Sequence, residues 1–128
     1  MLLFKRNLMV LIGALLLAFQ SMSAVQGAEI HFNSSCDFKE LTMNLIEEQD
    51  VSTNYITLNI KLQTAASTRL MQVTRNHMNQ KLTTYINGLK INTATIRSEL
   101  NSGMFRVGVD KKAAQELFPG LLNTQCLQ

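Results

Sequence analysis

Residues 55–62 read YITLNIKL, and this stretch decides the fold class because apolar and polar side chains alternate along its whole length. An alternation of period two that is rich in β-branched residues is typical of a strand that buries one face. We therefore predict a β-strand here, and its buried face carries four aliphatic side chains, Ile56, Leu58, Ile60 and Leu62.

The sequence after this strand predicts a helix and a β-hairpin. Thr64 is a suitable N-cap for a helix over residues 65–79, in which apolar residues recur at helical spacing along one stripe. Strands are predicted over residues 81–86 and 90–97. Between them, Asn87-Gly88 is the dipeptide most typical of a tight type I′ turn, in which both central residues need a positive φ.

Two further elements follow the hairpin, and one precedes the first strand. Residues 104–109 alternate again, and Asp110 is predicted to cap a helix over residues 111–118 that Pro119-Gly120 ends or bends. Upstream, residues 39–47 (KELTMNLIE) are ambiguous between helix and strand, and the alternation of their apolar residues favours a strand.

The predicted order of elements is β-β-α-β-β-β-α, which indicates the α+β class. A sheet with one apolar face has to cover that face, and the two amphipathic helices are available to do so. We therefore predict a two-layer domain in which one antiparallel sheet of about four to five strands carries both helices packed on one face.

The first 28 residues have the three-part pattern of a cleavable signal peptide. Lys5 and Arg6 form a basic start, residues 8–19 (LMVLIGALLLAF) are apolar, and residues 21–28 are mostly small. A permanent membrane anchor is the alternative. An apolar core of 12 residues is shorter than the roughly 20 that a membrane-spanning helix needs, so cleavage is favoured.

Cleavage would leave one domain outside the cytoplasm. The signal could end at Ala24, Gly27 or Ala28, and we place the boundary between a signal peptide over residues 1–28 and a domain over residues 29–128. This length supports one domain rather than two. The expected location is the periplasm or the extracellular medium, without stable membrane insertion after cleavage.

The charge of the predicted domain argues against nucleic-acid binding. The full chain has 12 Lys and Arg residues against 9 Asp and Glu residues. Lys5 and Arg6 leave with the signal peptide, so the remaining balance is 10 − 9 = +1. The largest basic cluster left is the pair Lys111-Lys112, whereas a nucleic-acid-binding domain usually presents a basic patch or stripe.

The two cysteines, Cys36 and Cys126, are predicted to form a disulfide bond. Exported proteins fold in an oxidising compartment, where a pair of cysteines usually joins. Two free thiols or an intermolecular bond are the alternatives. Redox chemistry and metal binding have little support, because the chain has no CxxC motif and neither His31 nor His77 lies at ligand spacing from a cysteine.

The sequence predicts no catalytic residue, no cofactor and no metal ion. His31 lies at the start of the predicted domain, and His77 falls on the inner stripe of the first helix, where a packed side chain is more common than a base. The acidic pair Glu47-Glu48 adjoins polar residues and fits a solvated turn. The chain has no GxSxG, HExxH or glycine-rich phosphate loop, so we expect a binding protein and not an enzyme.

The order of several short motifs over residues 55–122 resembles the head subdomain of the first periplasmic domain of SecD, a subunit of the bacterial preprotein translocase. The matching residues are ITL at 56–58, Thr74-Arg75, Lys81-Leu82, Asn87-Gly88 in place of the family's usual Asp-Gly, Ile96, Ala113 and Leu117. The sequence departs from the family at two places. Thr93-Ala94 stands where the family usually has Ala-Pro, and its Gly-Gly turn is reduced to Ser102-Gly103.

The resemblance implies a detached module that binds a protein or an unfolded polypeptide and assists protein export with the export machinery. An extended segment would add to a sheet edge or to the groove beside the hairpin. The alternative function is a small secreted inhibitor or effector that acts on another protein. The predicted contact residues lie at the hairpin tip, where Leu89 and Lys90 are expected to be exposed: Asn87, Gly88, Leu89 and Lys90.

Overall fold

A computed structural model describes residues 27–44 and 54–127. Within these residues the chain forms six strands and three helices. In chain order they are β1 (Ala28–Phe32), α1 (Ser34–Asp37), β2 (Phe38–Asn44), β3 (Tyr55–Leu62), α2 (Thr64–Asn76), β4 (Lys81–Ile86), β5 (Leu89–Thr95), β6 (Met104–Asp110) and α3 (Lys111–Leu121).

The strands form two three-stranded sheets, and the fold is α+β as predicted. The first sheet has the order β1-β4-β5, in which β1 runs parallel to β4 and β5 runs antiparallel to it as the second strand of the predicted hairpin. The second sheet has the order β2-β3-β6, and both of its pairings are antiparallel. The strand that decides the fold class, β3, is therefore central in the second sheet.

The predicted order lacks two elements, β1 and the short helix α1. β1 pairs with β4 in a register that sets Ala28 opposite Leu82 and Phe32 opposite Ile86. α1 is a single turn in which the side chain of Asn33 accepts a hydrogen bond from the Ser35 N–H at 3.0 Å. The signal-peptide boundary at residue 28 assigns Ala28 to the leader, although the structure gives this residue to a strand.

The prediction of one antiparallel sheet with both helices on one face differs from this arrangement. The Ile96 N–H donates to the Gln80 carbonyl, which extends the β4–β5 pairing beyond Thr95, and the chain then passes α2, where the Leu100 N–H donates to Thr74 Oγ1 at 3.0 Å. β6 pairs with β3 and not with β5. Each of the two long helices contacts both sheets: α2 packs on β1 and β3, and α3 packs on β3, β5 and β6.

The core is one apolar cluster to which both sheets and both long helices contribute. The predicted inner face of β3 is confirmed, since Ile56, Leu58, Ile60 and Leu62 are all buried and alternate with more exposed residues. Leu70 from α2, Leu117 from α3 and Ile86 from β4 are among the other fully buried side chains.

The first long helix, α2, begins and ends differently from the prediction. Gln63 occupies the N-cap position without a side-chain hydrogen bond to the helix, and Thr64 is the first helical residue. The helix ends at Asn76 rather than at residue 79, since the C-cap His77 already has non-helical angles (φ −127°, ψ 35°), and Asn79 has a φ of +65° with its N–H donating to the Ile96 carbonyl. A left-handed residue cannot continue a right-handed helix.

The last helix, α3, is capped as predicted but runs three residues further. Asp110 Oδ1 accepts a hydrogen bond from the Ala113 N–H at 2.8 Å, which confirms the N-cap. Pro119 lies inside the final turn and does not end the helix, which continues to Leu121. Proline removes one backbone donor, and so near the end of a helix only a single hydrogen bond is lost. In the described part of the chain, no helix has the length and apolar character needed to cross a membrane.

Candidate functional site

The Asn87-Gly88 turn has the predicted backbone geometry. The φ angle is +52° at Asn87 and +81° at Gly88, the left-handed conformations that a type I′ turn requires. A Cβ added at Gly88 would meet no atom within 4 Å. Glycine is therefore favoured at this position by its conformation and not by lack of space.

Asn87 is exposed at the surface, and three hydrogen bonds join it to the segment between β1 and α1. Its backbone N–H donates to the Phe32 carbonyl at the end of β1 at 2.9 Å. Its side-chain Oδ1 accepts from the Ser34 N–H, and its Nδ2 donates to Ser34 Oγ, both at 2.9 Å. Asn87 therefore links the hairpin to the start of α1, and both polar atoms of its side-chain amide are used in these hydrogen bonds.

Of the four predicted tip residues, Asn87, Gly88 and Lys90 are exposed and Leu89 is not. Leu89 is half-buried and packs against the core, which differs from the expectation that it is exposed. Lys90 is exposed as expected, and it lines a shallow depression together with Tyr55, Asn92 and Asp110. Within the described residues, Gly88 and Lys90 are thus exposed without a structural contact of the side chain, whereas Asn87 is exposed but hydrogen-bonded to Ser34, and Leu89 packs against the core.

Replacing Asn87 by alanine is expected to lower the free energy of unfolding by about 1–3 kcal/mol. Two side-chain hydrogen bonds to Ser34 are lost, and alanine is strained at a positive φ. Asn87→Asp is the matched control, because a carboxylate still accepts from the N–H and hydroxyl of Ser34 and aspartate tolerates this conformation. Urea denaturation of both variants measures the difference. Equal stability of the two variants would contradict the fastening role.

A cleft with a volume of about 270 Å³ opens between β5 and β6. The two strands approach at one point, where Asn92 Nδ2 donates to the Gly108 carbonyl at 3.4 Å, and the cleft lies beyond that point between the following part of β5 and the preceding part of β6. We call it the β5/β6 cleft, and its apolar lining consists of Leu82, Ala94, Ile96, Leu100, Phe105 and Val107.

The strands on either side of the cleft each present an edge without a paired strand. Within the described residues, β5 is an outer strand of the first sheet and β6 is an outer strand of the second sheet. An edge strand exposes a row of backbone N–H and C=O groups that can pair with another extended chain. The cleft therefore combines an apolar lining with hydrogen-bonding groups along both sides.

The far side of the cleft is closed by the segment that joins β5 to β6. Ile96, Arg97, Ser98 and Leu100 all line the cleft. The segment is fixed to α2, since Thr74 Oγ1 accepts from the Leu100 N–H and donates to the Leu70 carbonyl at 2.8 Å.

An ion pair holds the same segment at the surface. Arg75 Nη2 donates to Glu99 Oε1 at 2.8 Å. The hydrogen bond to Glu99, together with the charge of that carboxylate, raises the pKa of Arg75 above its ordinary value. Two hydrogen-bonded anchors on α2, Thr74 and Arg75, therefore hold the wall of the cleft in place.

The predicted disulfide bond between Cys36 and Cys126 is present. Their Cα atoms lie 4.7 Å apart, within the range that a disulfide spans. Next to it, Ser35 Oγ donates to the Asn123 carbonyl at 2.6 Å. The chain after α3 is thereby tied to α1, and both described cysteines belong to this bond.

The titratable residues considered at the outset lie in separate surroundings. His31 is exposed, stacks on Tyr85 with ring centroids 4.4 Å apart, and has Glu29 Oε2 3.3 Å from its Nε2. His77 is half-buried with its Nδ1 3.1 Å from Gln80 Oε1. Glu47 and Glu48 lie outside the described residues. Residues 27–44 and 54–127 contain no group of three or more His, Cys, Asp and Glu residues arranged to hold a metal ion.

No family model, no curated protein and no solved structure matches the chain. The function has to be inferred from the site itself. The sequence prediction pointed to the hairpin tip and missed Arg97, Leu100 and Arg106, which border the cleft. Arg97 is the last residue of the predicted second hairpin strand, Leu100 follows that strand, and Arg106 alternates outward on β6, so no local pattern marked them as neighbours.

Proposed function

We propose that this chain is an exported, non-enzymatic module that binds extended polypeptide at the β5/β6 cleft. The observation that carries the proposal is an apolar cleft bordered by two unpaired strand edges. A bound segment can place an apolar side chain in the cleft while its backbone pairs with one of the edges. Because β5 is the second strand of the hairpin, the cleft is the groove beside the hairpin.

The size of the cleft suits this kind of ligand. Its volume of about 270 Å³ lies just below the roughly 300–1,000 Å³ of pockets that enclose drug-sized molecules. One or two side chains of a flexible polypeptide fit such a space, whereas a large cofactor does not. The rest of the polypeptide would remain on the surface, along the strand edges.

Export is the second part of the proposal, and it rests on the leader pattern of residues 1–28. A disulfide bond is compatible with an oxidising compartment outside the cytoplasm. Since Ala28 is buried and is the first residue of β1, we place the end of the signal peptide at Ala24 or Gly27, which leaves β1 complete. The resemblance to the SecD head supports a role in protein export.

Site-specific photo-crosslinking tests polypeptide binding at the cleft. A photoreactive phenylalanine analogue replaces Ala94, which is exposed and lines the cleft. The control position is Thr93, the preceding residue on β5, which is exposed on the opposite face beside Thr83, with the two Oγ1 atoms 3.1 Å apart. The probe is a reduced and alkylated, permanently unfolded protein, compared with the same protein in its native form.

We expect the probe at position 94 to crosslink the unfolded protein several times more strongly than the probe at position 93, and to crosslink the native form weakly. Alternation along a strand places neighbouring residues on opposite faces, so the two positions differ in access to the cleft and little else. Equal yields at the two positions, or no yield at either, would overturn the proposed function.

A further inference from the structure

We propose that the β5/β6 cleft recognises the C-terminal residue of a polypeptide, with the terminal carboxylate bound by Arg97 and Arg106 and an apolar last side chain in the cleft. This inference rests on the proposed function, because it assumes that polypeptide is bound there. It adds which part of the polypeptide enters the cleft and which residues select it.

Two arginines border the cleft from its two sides. Arg97 follows β5 and Arg106 lies on β6, and both are exposed and line the cleft. Neither forms an ion pair within the described residues, whereas Arg69 and Arg75 are paired with Asp37 at 2.9 Å and with Glu99 at 2.8 Å. When no carboxylate of the protein pairs with a guanidinium group, its planar N–H donors can bind the carboxylate of a ligand.

The lining of the cleft favours a ligand that is negatively charged and also has an apolar group. None of the described residues that line it is acidic, and Glu99, two residues after Arg97, is bound to Arg75. The cleft also has an apolar lining, which includes Phe105 and Leu100. The complementary ligand therefore carries a negative charge and an apolar group close together.

The shape of the cleft favours a chain end over a passing segment. The Asn92–Gly108 contact bounds it on one side, and residues 96–100 bound it on the other. A segment running through the cleft along the strands would meet one of these barriers. The last residue of a polypeptide has no chain beyond it, and its Cα carries both a carboxylate and a side chain that can be apolar. An internal aspartate or glutamate has a carboxylate but no apolar group on the same residue.

A pair of peptides tests the inference directly. An eight-residue peptide ending in leucine is prepared with a free carboxylate and with a C-terminal amide, and binding of each to the exported protein is measured by calorimetry. Charge-assisted hydrogen bonds from arginine to a carboxylate are roughly twice as strong as neutral ones. We expect the amide to bind at least tenfold more weakly than the free acid, which corresponds to about 1.4 kcal/mol.

Variants of the arginines locate the effect. In the double variant Arg97→Gln/Arg106→Gln, the free-acid peptide is expected to bind as weakly as the amide, and the amide is expected to be unaffected. Lys112→Gln is the control, because it removes a positive charge from the exposed first turn of α3. An equal loss for the Lys112→Gln variant would mean that general charge, and not the cleft, holds the peptide, and would overturn the inference.

The remaining outcomes separate this inference from the proposed function. Equal binding of the free acid and the amide overturns carboxylate recognition while polypeptide binding stands. Binding of neither peptide also overturns the inference, and the crosslink from position 94 then decides the proposed function by itself. Decanoate is the third probe, and if it binds as tightly as the free-acid peptide, the ligand is a fatty-acid carboxylate and the commitment to a polypeptide end is wrong.

Discussion

Alanine in place of Leu58 is expected to lower the free energy of unfolding by about 2–5 kcal/mol. Leu58 is fully buried at the middle of β3, opposite Met43 on β2 and Val107 on β6. Truncation removes buried apolar surface and leaves a cavity that the flanking strands cannot close. Because the total stability of a small domain is about 5–15 kcal/mol, this single change removes a large share of it.

Urea denaturation measures the effect, and Lys61→Ala is the matched control on the same strand. Lys61 faces solvent on the opposite side of β3, and its Nζ lies 3.2 Å from Glu40 Oε2 with both side chains about half exposed. An exposed ion pair of this kind contributes at most about 1 kcal/mol. A loss of less than 1 kcal/mol in Leu58→Ala would contradict the assignment of β3 as the central strand of the core.

Removal of the Cys36–Cys126 bond is expected to lower the free energy of unfolding by about 2–5 kcal/mol. The bond closes a loop with a sequence separation of 90, and on the chain-entropy model such a long loop strongly restricts the unfolded chain. The native sheets should persist in the Cys36→Ser/Cys126→Ser variant, because neither cysteine belongs to the buried core. Thermal unfolding and far-ultraviolet circular dichroism measure stability and structure separately.

The control for the disulfide is Ser35→Ala, which keeps the bond and removes the neighbouring hydrogen bond to the Asn123 carbonyl. One exposed hydrogen bond is worth about 0.5–1.5 kcal/mol, so this variant should be clearly more stable than the double serine variant. If the double serine variant melts at the wild-type temperature, the bond does not restrict the unfolded chain. If it shows no secondary structure, the core depends on the tie between α1 and the chain after α3.

Local patterns predicted the elements well and their assembly poorly. The alternation in β3, the positive φ angles at Asn87 and Gly88, and the cap at Asp110 are all properties of short stretches, and all three are confirmed. The division into two sheets depends on the path of residues 96–103, on which the Leu100 N–H donates to Thr74 Oγ1, 26 positions earlier in the chain. No local pattern contains this information.

The candidate site was harder to predict than the fold for the same reason. Residues from β4, β5, β6 and α2 line the cleft, and its two arginines, Arg97 and Arg106, are not neighbours in the sequence. The hydrogen bonds of the Asn87 side chain could not be predicted either, because their partner Ser34 lies before β3 in the sequence, 53 positions away. β1 could have been recognised, since AEIHF alternates with a buried Ala28, Ile30 and Phe32, but its first residue had been assigned to the leader.

The parallel pairing of β1 with β4 bears on when the chain can fold in the export that we propose. Ala28 pairs with Leu82 and Phe32 with Ile86, so the first strand of the domain has no partner in its sheet until β4 is available. Contacts between residues so far apart in sequence form slowly, because a long loop must close first. A chain that crosses a membrane with its N-terminus leading would therefore leave β1 unpaired until residue 86 had emerged. In that proposed export the first sheet would therefore close only on the far side of the membrane.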